Sequence, residues 1–338
     1  MERHDFASDN VAGATPEVLE ALRRFGGGFA ASYGEDEVCA RAGDLIRALL
    51  DVDAEVRFVA SGTAANALCL AALAQPHEAF LAHGHSHVAS DETGAPAFFG
   101  GGMGVIALAG ASGRIDPAAL GRALRAPDHP HVQAPAALSL TNSTEYGAVY
   151  SAAALGALIA PARAVGLKIH IDGARLANAA AAGFDPKALG RLGADAVVVG
   201  GTKAGSTPTE AIVLIDPTLG RRLGARLKHA GQLVSKSRFL AAPWIGMLED
   251  GAWVRRAAHA NAMAQRLAAR CPFRVVHPVE ANGVFLEMDK GAYARLRDAG
   301  WFAWRVLDGS IRLMCSWATT IEAVDGLTEA LNRAFRAS

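Results

Sequence analysis

Short apolar runs alternate with helical patterns along the first two thirds of the chain. The apolar runs predict six strands, at residues 56–60, 79–82, 137–141, 168–172, 196–200 and 211–215. Helical patterns such as residues 64–73 and 152–165 stand between them. This alternation predicts an α/β fold with a mostly parallel sheet and helices on both faces. In such sheets ligands bind beyond the carboxyl ends of the strands.

The pattern changes near Leu248. A long helix at 253–269 is followed by short strands around Val275, 284–288 and 311–314, and by a closing helix from Ile321. We therefore expect a large domain at 1–247, including the N-terminal segment, and a smaller α+β domain at 248–338. The Gly-rich patches at 26–28 and 100–104 are expected to be turns.

Charge and cysteine content narrow the classes of partner. The 33 basic and 33 acidic side chains cancel, so no overall field favours nucleic acid or an anionic membrane, and a small-molecule partner fits better. The N-terminus lacks the pattern of a signal peptide, and no apolar stretch is long enough to span a membrane. The four cysteines are scattered, as expected for free thiols in the cytoplasm.

Ser61-Gly62-Thr63 lies where the first strand gives way to a helix. Backbone N–H groups and the helix dipole at such a point can bind a phosphate, and small side chains let it approach closely. Ser and Thr are also favoured as ordinary helix caps, so the segment taken alone leaves both interpretations open.

Asp172 ends one apolar strand, and Lys203 follows the next one. A carboxylate in the position of Asp172 can cap a helix, bind a metal or hold a cationic heterocycle. Lys203, within Gly200–Gly205, can reach the mouth of the sheet, where desolvation would lower its pKa and favour attack on an aldehyde. A solvated loop lysine is the alternative.

His83, His85 and His87 alternate after the second predicted strand. If that strand continued, the three imidazoles would share one face and could bind zinc. Alternatively, a single histidine stacks on an aromatic ligand and the others are exposed. Arg312, inside a C-terminal strand pattern, either points to solvent or grips a substrate carboxylate.

Taken together, these segments resemble a known family. The segments 6–10, 61–66, 170–175 and 201–203, with His87 ahead of Asp91-Glu92, resemble the L-threonine aldolase (β-eliminating lyase) family, and within it the low-specificity bacterial branch. These are fold type I pyridoxal 5′-phosphate (PLP) enzymes with an aspartate-aminotransferase-like large domain. The resemblance extends from Ser8 to Arg312 and the segment just behind it, and it implies no metal.

The resemblance implies a role for each matching residue. Lys203 would form the Schiff base with PLP, Asp172 would pair with the pyridine nitrogen, and His87 would stack on the ring near the substrate hydroxyl. The remaining implied contacts are Gly62, Thr63 and Thr202 to the phosphate, Thr144 beside the cofactor, and Ser8, Arg175 and Arg312 around the substrate carboxylate. Arg175 would also border the cofactor. Tyr33 would enter the site of a neighbouring subunit in a homodimer or homotetramer with shared active sites.

The implied reaction is retro-aldol cleavage of an L-β-hydroxy-α-amino acid, such as L-threonine, L-allo-threonine or phenylserine, to glycine and an aldehyde. His87, directly or through water, is the expected base for the β-hydroxyl proton. Another reaction on the same fold is the alternative: a transaminase, a racemase or a β-eliminating lyase. Ala204, where this branch commonly has asparagine, and the additional His83 and His85 depart from the family pattern.

Overall fold

The structure, a computed structural model, describes residues 4–126 and 129–336. The strands are β1 (His4–Asp5), β2 (Glu55–Val59), β3 (Glu78–His83), β4 (Gly104–Leu108), β5 (Ala134–Thr141), β6 (Lys168–Gly173), β7 (Ala196–Gly200), β8 (Glu210–Leu214), β9 (Gly283–Leu286), β10 (Trp301–Phe302), β11 (Trp304–Arg305) and β12 (Ile311–Met314). The helices are α1 (Pro16–Phe25), α2 (Glu37–Leu50), α3 (Gly62–Leu73), α4 (His87–Ser90), α5 (Ala95–Phe99), α6 (Pro117–Leu124), α7 (Ala152–Ala164), α8 (Leu176–Ala181), α9 (Ala188–Arg191), α10 (Gly220–His229), α11 (Arg238–Leu248), α12 (Ala252–Arg270), α13 (Lys290–Asp298) and α14 (Ile321–Arg336). Two 3-10 helices span Asp9–Val11 and Thr202–Ala204.

The main sheet has the strand order β2-β8-β7-β6-β5-β3-β4. Strands β3 to β7 run parallel, and β8 is antiparallel to both of its neighbours. The predicted mostly parallel sheet is therefore confirmed, and each of the six predicted strands overlaps an observed one. Sequence analysis missed β4, an edge strand that begins at Gly104, inside a patch expected to be a turn. None of the helices in the described ranges could cross a membrane.

Helices cover both faces of this sheet, as expected. Along β7, Val197 and Val199 belong to one apolar core, whereas Ala196 and Val198 belong to the core on the opposite face. Side chains alternate between the faces of a strand, so a strand buried on both faces is apolar at every position. Helix α3, almost wholly buried, fills the second face.

A third core, which we call the C-terminal core, lies in the C-terminal part of the chain, around the sheet β11-β12-β9 and helices α13 and α14. The N-terminal segment packs there too, since β1 pairs with β10 and Phe6 contacts Trp301. Helix α12 contributes to the C-terminal core and to the core on one face of the main sheet. The boundary near Leu248 stays a proposal, and the strand expected around Val275 is a single bridge to Leu286.

Close backbone packing fixes the turn that carries Lys203. A Cβ on Gly200 would lie 2.3 Å from the carbonyl oxygen of Ala174, and one on Gly201 would lie 2.6 Å from the carbonyl oxygen of Thr209. Both distances are too short for a side chain, so only glycine lets the chain leave β7 along this path. The paired glycines before Lys203 therefore serve packing and thereby place the lysine at the carboxyl edge of the sheet.

We predict that Gly201→Ala lowers the free energy of unfolding by about 1–3 kcal/mol, because the new methyl group must displace Thr209 or Trp244. Gly224→Ala is the matched control: nothing lies within 4 Å of its added Cβ, and it stands inside helix α10. The control should be neutral or slightly stabilising. Urea unfolding followed by circular dichroism measures both, and equal midpoints would contradict the packing argument.

Candidate active site

A cavity at the carboxyl edge of the sheet brings together five of the eleven predicted site residues. The five that line it are Gly62, His87, Asp172, Arg175 and Lys203. They come from the start of α3, the start of α4, the end of β6 and its following turn, and the 3-10 helix after β7. The other lining residues are Asn66, Thr141, Ser143, Glu145 and Ala174. Parallel strands thus bring residues distant in sequence to one edge.

Lys203 enters this cavity from the turn after β7. Burial lowers the pKa of its ammonium group, and the nearby positive charge of Arg175 lowers it further. A lysine with a lowered pKa has a larger fraction of free amine, which is the nucleophilic form. The buried Glu210 accepts a hydrogen bond of 2.9 Å from the backbone N–H of Gly201, and this bond stabilises the turn that carries Lys203.

Asp172 is held by two donors. Its Oδ1 accepts from the backbone N–H of Ala174 at 2.9 Å, and its Oδ2 accepts from Asn66 Nδ2 at 3.0 Å. Donors aimed at both oxygens stabilise the ionised carboxylate and fix its direction. A buried carboxylate so placed suits a protonated ring nitrogen. Asn66 lies in the family-like segment 61–66, but no role was predicted for it. It stands one helical turn after Gly62, so Gly62 and Asn66 lie on the same face of α3.

His87 begins helix α4 and is fixed by two glutamates. Its Nδ1 lies 2.9 Å from Glu92 Oε1, and its backbone N–H donates to Glu145 Oε1 at 2.8 Å. The hydrogen bond to Glu92 raises the pKa of His87, and burial raises the pKa of Glu92. The same Asn66 amide that binds Asp172 also donates to Glu92, at 2.9 Å. The Asn66 amide thus connects Asp172 to Glu92, the glutamate that binds the His87 ring.

Of the two alternatives for the histidines, the shared face does not form, because β3 ends at His83 and the chain turns before His87. His83 Nε2 lies 3.2 Å from the carbonyl oxygen of Gly110, and His85 Nδ1 lies 2.6 Å from the Tyr146 hydroxyl. Over residues 4–126 and 129–336, no group of three metal-ligating side chains is placed to hold a metal ion.

Arg175 is already paired with Asp9. Arg175 Nε and Nη2 donate to the two oxygens of Asp9, at 2.6 and 2.9 Å; the Asp9 side chain is fully buried and that of Arg175 is 11% exposed. Burial alone would raise the pKa of Asp9, but the charge and hydrogen bonds of Arg175 lower it to about 2. Sequence analysis placed Arg175 against a substrate carboxylate and gave Asp9 no role, because nothing local links residues so far apart.

Arg312 lies on β12 and has no carboxylate partner among the described side chains. Its Nη2 donates to the carbonyl oxygen of Ala7 at 2.9 Å, and its buried Nε has no partner. Burial lowers its pKa to about 10, and the charge of nearby Arg175 contributes. The unpartnered Nε of Arg312 is therefore a buried donor that an anionic group can engage.

Two threonines expected at the cofactor use their hydroxyls elsewhere. Thr144 Oγ1 donates to the carbonyl oxygen of Ser112 at 2.8 Å, so its neighbours Ser143 and Glu145 line the cavity instead. Thr202 Oγ1 accepts from the backbone N–H of Thr209 at 3.2 Å, which ties down the turn. Neither side chain lines the cavity, and the predicted roles of Thr144 and Thr202 beside the cofactor stay predictions.

The other expected residues lie outside the cavity lining. Ser8 caps the 3-10 helix that carries Asp9, and Tyr33 is 43% exposed with Lys228 over its ring. Thr63 stands second in α3. Ser61 caps that helix by accepting from the N–H of Ala64 at 3.2 Å. Ala204, which stands where the family commonly has asparagine, is buried in the same core as Val197 and Val199 and does not line the cavity.

Three polar atoms in the cavity wall are buried without a hydrogen-bond partner in the described part of the chain. They are Asn66 Oδ1, Ser143 Oγ and Glu145 Oε2. Such atoms are costly unless something pairs with them, so the wall is built for a polar ligand. Beside Gly62, a Cβ would meet no atom within 4 Å, which leaves open space at the start of α3.

Comparison with known proteins agrees with this geometry. The family model described as beta-eliminating lyase matches residues 5–291. The low specificity L-threonine aldolases of Pseudomonas sp. and Pseudomonas aeruginosa are each 42% identical to the chain, over 94% of this chain and 94% of theirs. The corresponding protein of Saccharomyces cerevisiae is 25% identical, over 84% of this chain and 74% of its own.

Solved structures give the same result. A threonine aldolase from Leishmania major superposes with a TM-score of 0.91 at 29% identity, covering 98% of this chain and 99% of that one. An aspartate aminotransferase from Thermus thermophilus, 17% identical, superposes with a TM-score of 0.73 over 98% of this chain and 92% of its own, which confirms the fold class. The chain belongs to the beta-eliminating lyase family, and it is a pyridoxal 5′-phosphate-dependent lyase.

Proposed function

We propose that this enzyme cleaves L-threonine, L-allo-threonine or related L-β-hydroxy-α-amino acids, such as phenylserine, to glycine and an aldehyde. The observation that carries the proposal is the meeting of Lys203, Asp172 and His87 in one cavity with unpartnered polar walls. The 42% identity to low specificity L-threonine aldolases supports it.

The residues fit the parts of the cofactor. Gly62 and Thr63, at the start of α3, would hold the phosphate through backbone N–H groups. Asp172 would hold the ring nitrogen protonated, and Lys203 would bind the aldehyde carbon as a Schiff base. PLP, when bound, accepts the electron pair of a bond broken at the substrate Cα.

The chain's own groups would choose which bond breaks. Arg312 would bind the substrate carboxylate, because its Nε is buried without a partner. His87 would take the β-hydroxyl proton, directly or through water. Glu92 raises the pKa of His87, so the imidazole is a stronger base than usual, and the rate should fall as the pH falls through that pKa.

We also propose a cytoplasmic homo-oligomer with shared sites. Four free cysteines, three of them buried, suit a reducing compartment. Tyr33 is exposed and does not line the cavity of its own chain, so a neighbouring subunit's cavity is where it would act.

The first test concerns Lys203. Borohydride reduction of the loaded enzyme, followed by peptide mapping, should place the cofactor on Lys203. Lys203→Ala should lose this attachment while Lys290→Ala, at an exposed position, should keep it. An adduct on another lysine would overturn the proposal.

The reaction is tested by identifying products and by removing the carboxylate partner. L-threonine should give glycine and acetaldehyde with little keto acid. Arg312→Ala should lower kcat/KM roughly 100-fold, because a buried charge contact is lost. The matched control, Arg305→Ala, removes an exposed arginine from the adjacent strand and should change little.

Threoninamide sharpens this test. The parent enzyme should prefer L-threonine to the amide, and Arg312→Ala should abolish that preference. If no β-hydroxy amino acid yields glycine while L-alanine or L-aspartate reacts with a keto acid, a transaminase replaces the aldolase.

Shared sites predict complementation between inactive variants. Lys203→Ala and Tyr33→Ala subunits should each be poorly active alone. Mixed oligomers assembled from the two should recover part of the activity, because one site receives both native residues. No recovery in verified mixed oligomers, or full activity in a sedimenting monomer, would disprove sharing.

A further inference from the structure

Glu145 is a half-buried acid, with a buried Oε2, that the reaction described above does not use. It lies in the loop after β5 and lines the cavity together with Lys203, Asp172 and His87. Its Oε1 accepts from the backbone N–H of His87 at 2.8 Å and from the Thr141 hydroxyl at 3.3 Å. Its Oε2 is buried and has no partner among the described residues.

This arrangement is costly for an ionised carboxylate. The buried Oε2 would carry negative charge with no donor, and Asp172 adds a second negative charge nearby. Burial and the charge of Asp172 raise the pKa of Glu145 to about 7. A protonated Oε2 instead has a hydrogen to donate, and the cavity is where an acceptor can lie.

The chemistry of PLP leaves one acceptor without a partner. The first turn of α3 suits the phosphate, Asp172 suits the ring nitrogen, and Lys203 suits the aldehyde carbon. The remaining polar atom of the ring is the phenolic oxygen, which is anionic when the Schiff base is protonated and then seeks a donor. Arg312 Nη2 donates to the carbonyl oxygen of Ala7, and Arg175, although it lines the cavity, directs Nε and Nη2 to Asp9.

We propose that Glu145 is a further catalytic residue, a neutral carboxylic acid whose Oε2 donates a hydrogen bond to the ring oxygen of the cofactor. It stabilises the anionic oxygen without adding a second negative charge beside Asp172. The phenolic oxygen accepts and Glu145 keeps its proton, so no bond is made or broken. Bound acceptor and protonated acid stabilise each other, so the cofactor should keep Glu145 protonated above pH 7.

Several ionisable groups surround Glu145, and a pH titration must separate them. They are Asp172, His87, Arg175, Lys203, Tyr146 and Tyr150. Substitutions at position 145 leave all six in place, so differences between such variants report on Glu145 itself. Visible absorbance reports on the cofactor alone, since these side chains do not absorb there.

The test is a pH titration of the visible absorbance of the loaded enzyme without substrate. Glu145→Gln keeps an N–H donor at the position of Oε2. The midpoint pH of its absorbance transition should therefore lie within about half a pH unit of that of the parent enzyme. Glu145→Ala removes the donor and should move the transition to higher pH by about one unit or more, because the anionic oxygen loses a charge-assisted hydrogen bond. Glu322→Gln, at an exposed position in α14, is the control and should titrate like the parent.

The sign of the shift distinguishes the alternatives. If Glu145 were ionised, removing its charge would move the transition to lower pH in Gln and Ala variants alike, and the proposal would be wrong. An unchanged transition in both would mean that Glu145 does not contact the cofactor, which equally overturns it. Should Glu145→Ala fail to fold, Glu145→Met fills the same space without a donor and is expected to shift upward as well.

Cofactor affinity gives a second readout. Loss of the donor should weaken binding of PLP to the unloaded protein about 10-fold in the Ala or Met variant, and much less in the Gln variant. The inference rests on the proposed attachment at Lys203, so peptide mapping comes first. An adduct on a different lysine defeats the proposed function, whereas an adduct on Lys203 with unshifted titrations defeats only the role of Glu145.

Discussion

The buried ion pair between Asp9 and Arg175 is the contact on which the rest of the site depends. It joins the N-terminal segment to the turn after β6, and Asn282 Nδ2 donates to the same aspartate at 3.0 Å from the C-terminal core. Breaking a buried pair from one side costs about 3–5 kcal/mol, since the remaining charge is left alone. Three distant parts of the chain are thus held together at the border of the cavity, where Arg312 also lies close to Arg175.

Burial of acids sets the charge of the cavity. Glu145 and Glu210 both have pKa values raised by burial to about 7, and burial raises the pKa of Glu92 as well. Glu145, when neutral, has a hydrogen to donate from Oε2, whereas Asp172 accepts hydrogen bonds at both of its oxygens. Carboxyl groups of one chemical type thereby take different roles because their surroundings differ. The asymmetry matters here, since a ring with a cationic nitrogen and an anionic oxygen needs one acceptor and one donor.

Local patterns in the sequence predicted the residues that directly follow strand ends. Asp172 and Lys203 were predicted because a polar residue after an apolar strand is conspicuous and a parallel sheet brings such residues together. Asp9 and Glu145 were missed because their roles depend on contacts across 166 and 58 residues of sequence. Thr144 was predicted beside the cofactor, whereas its neighbour Glu145 lines the cavity, because the direction of a loop side chain depends on packing rather than on spacing. Edge strand β4 escaped prediction because Gly104 and partial exposure hide its pattern.

In the proposed reaction, the choice of bond would depend on two parts of the fold. Asp172 ends β6 and Lys203 follows β7, so both residues expected around the ring are positioned by the main sheet, which is closely packed on both faces. Arg312, which is expected to bind the substrate carboxylate, lies in the three-stranded sheet of the C-terminal core, where it is paired with Phe285 of β9. In the proposed reaction, the orientation of a substrate relative to the ring would therefore depend on how the main sheet and the C-terminal core are joined. The contacts of Asp9 with Arg175 and Asn282 join these two parts of the fold, so the N-terminal segment would influence the reaction although Lys203 lies far along the chain.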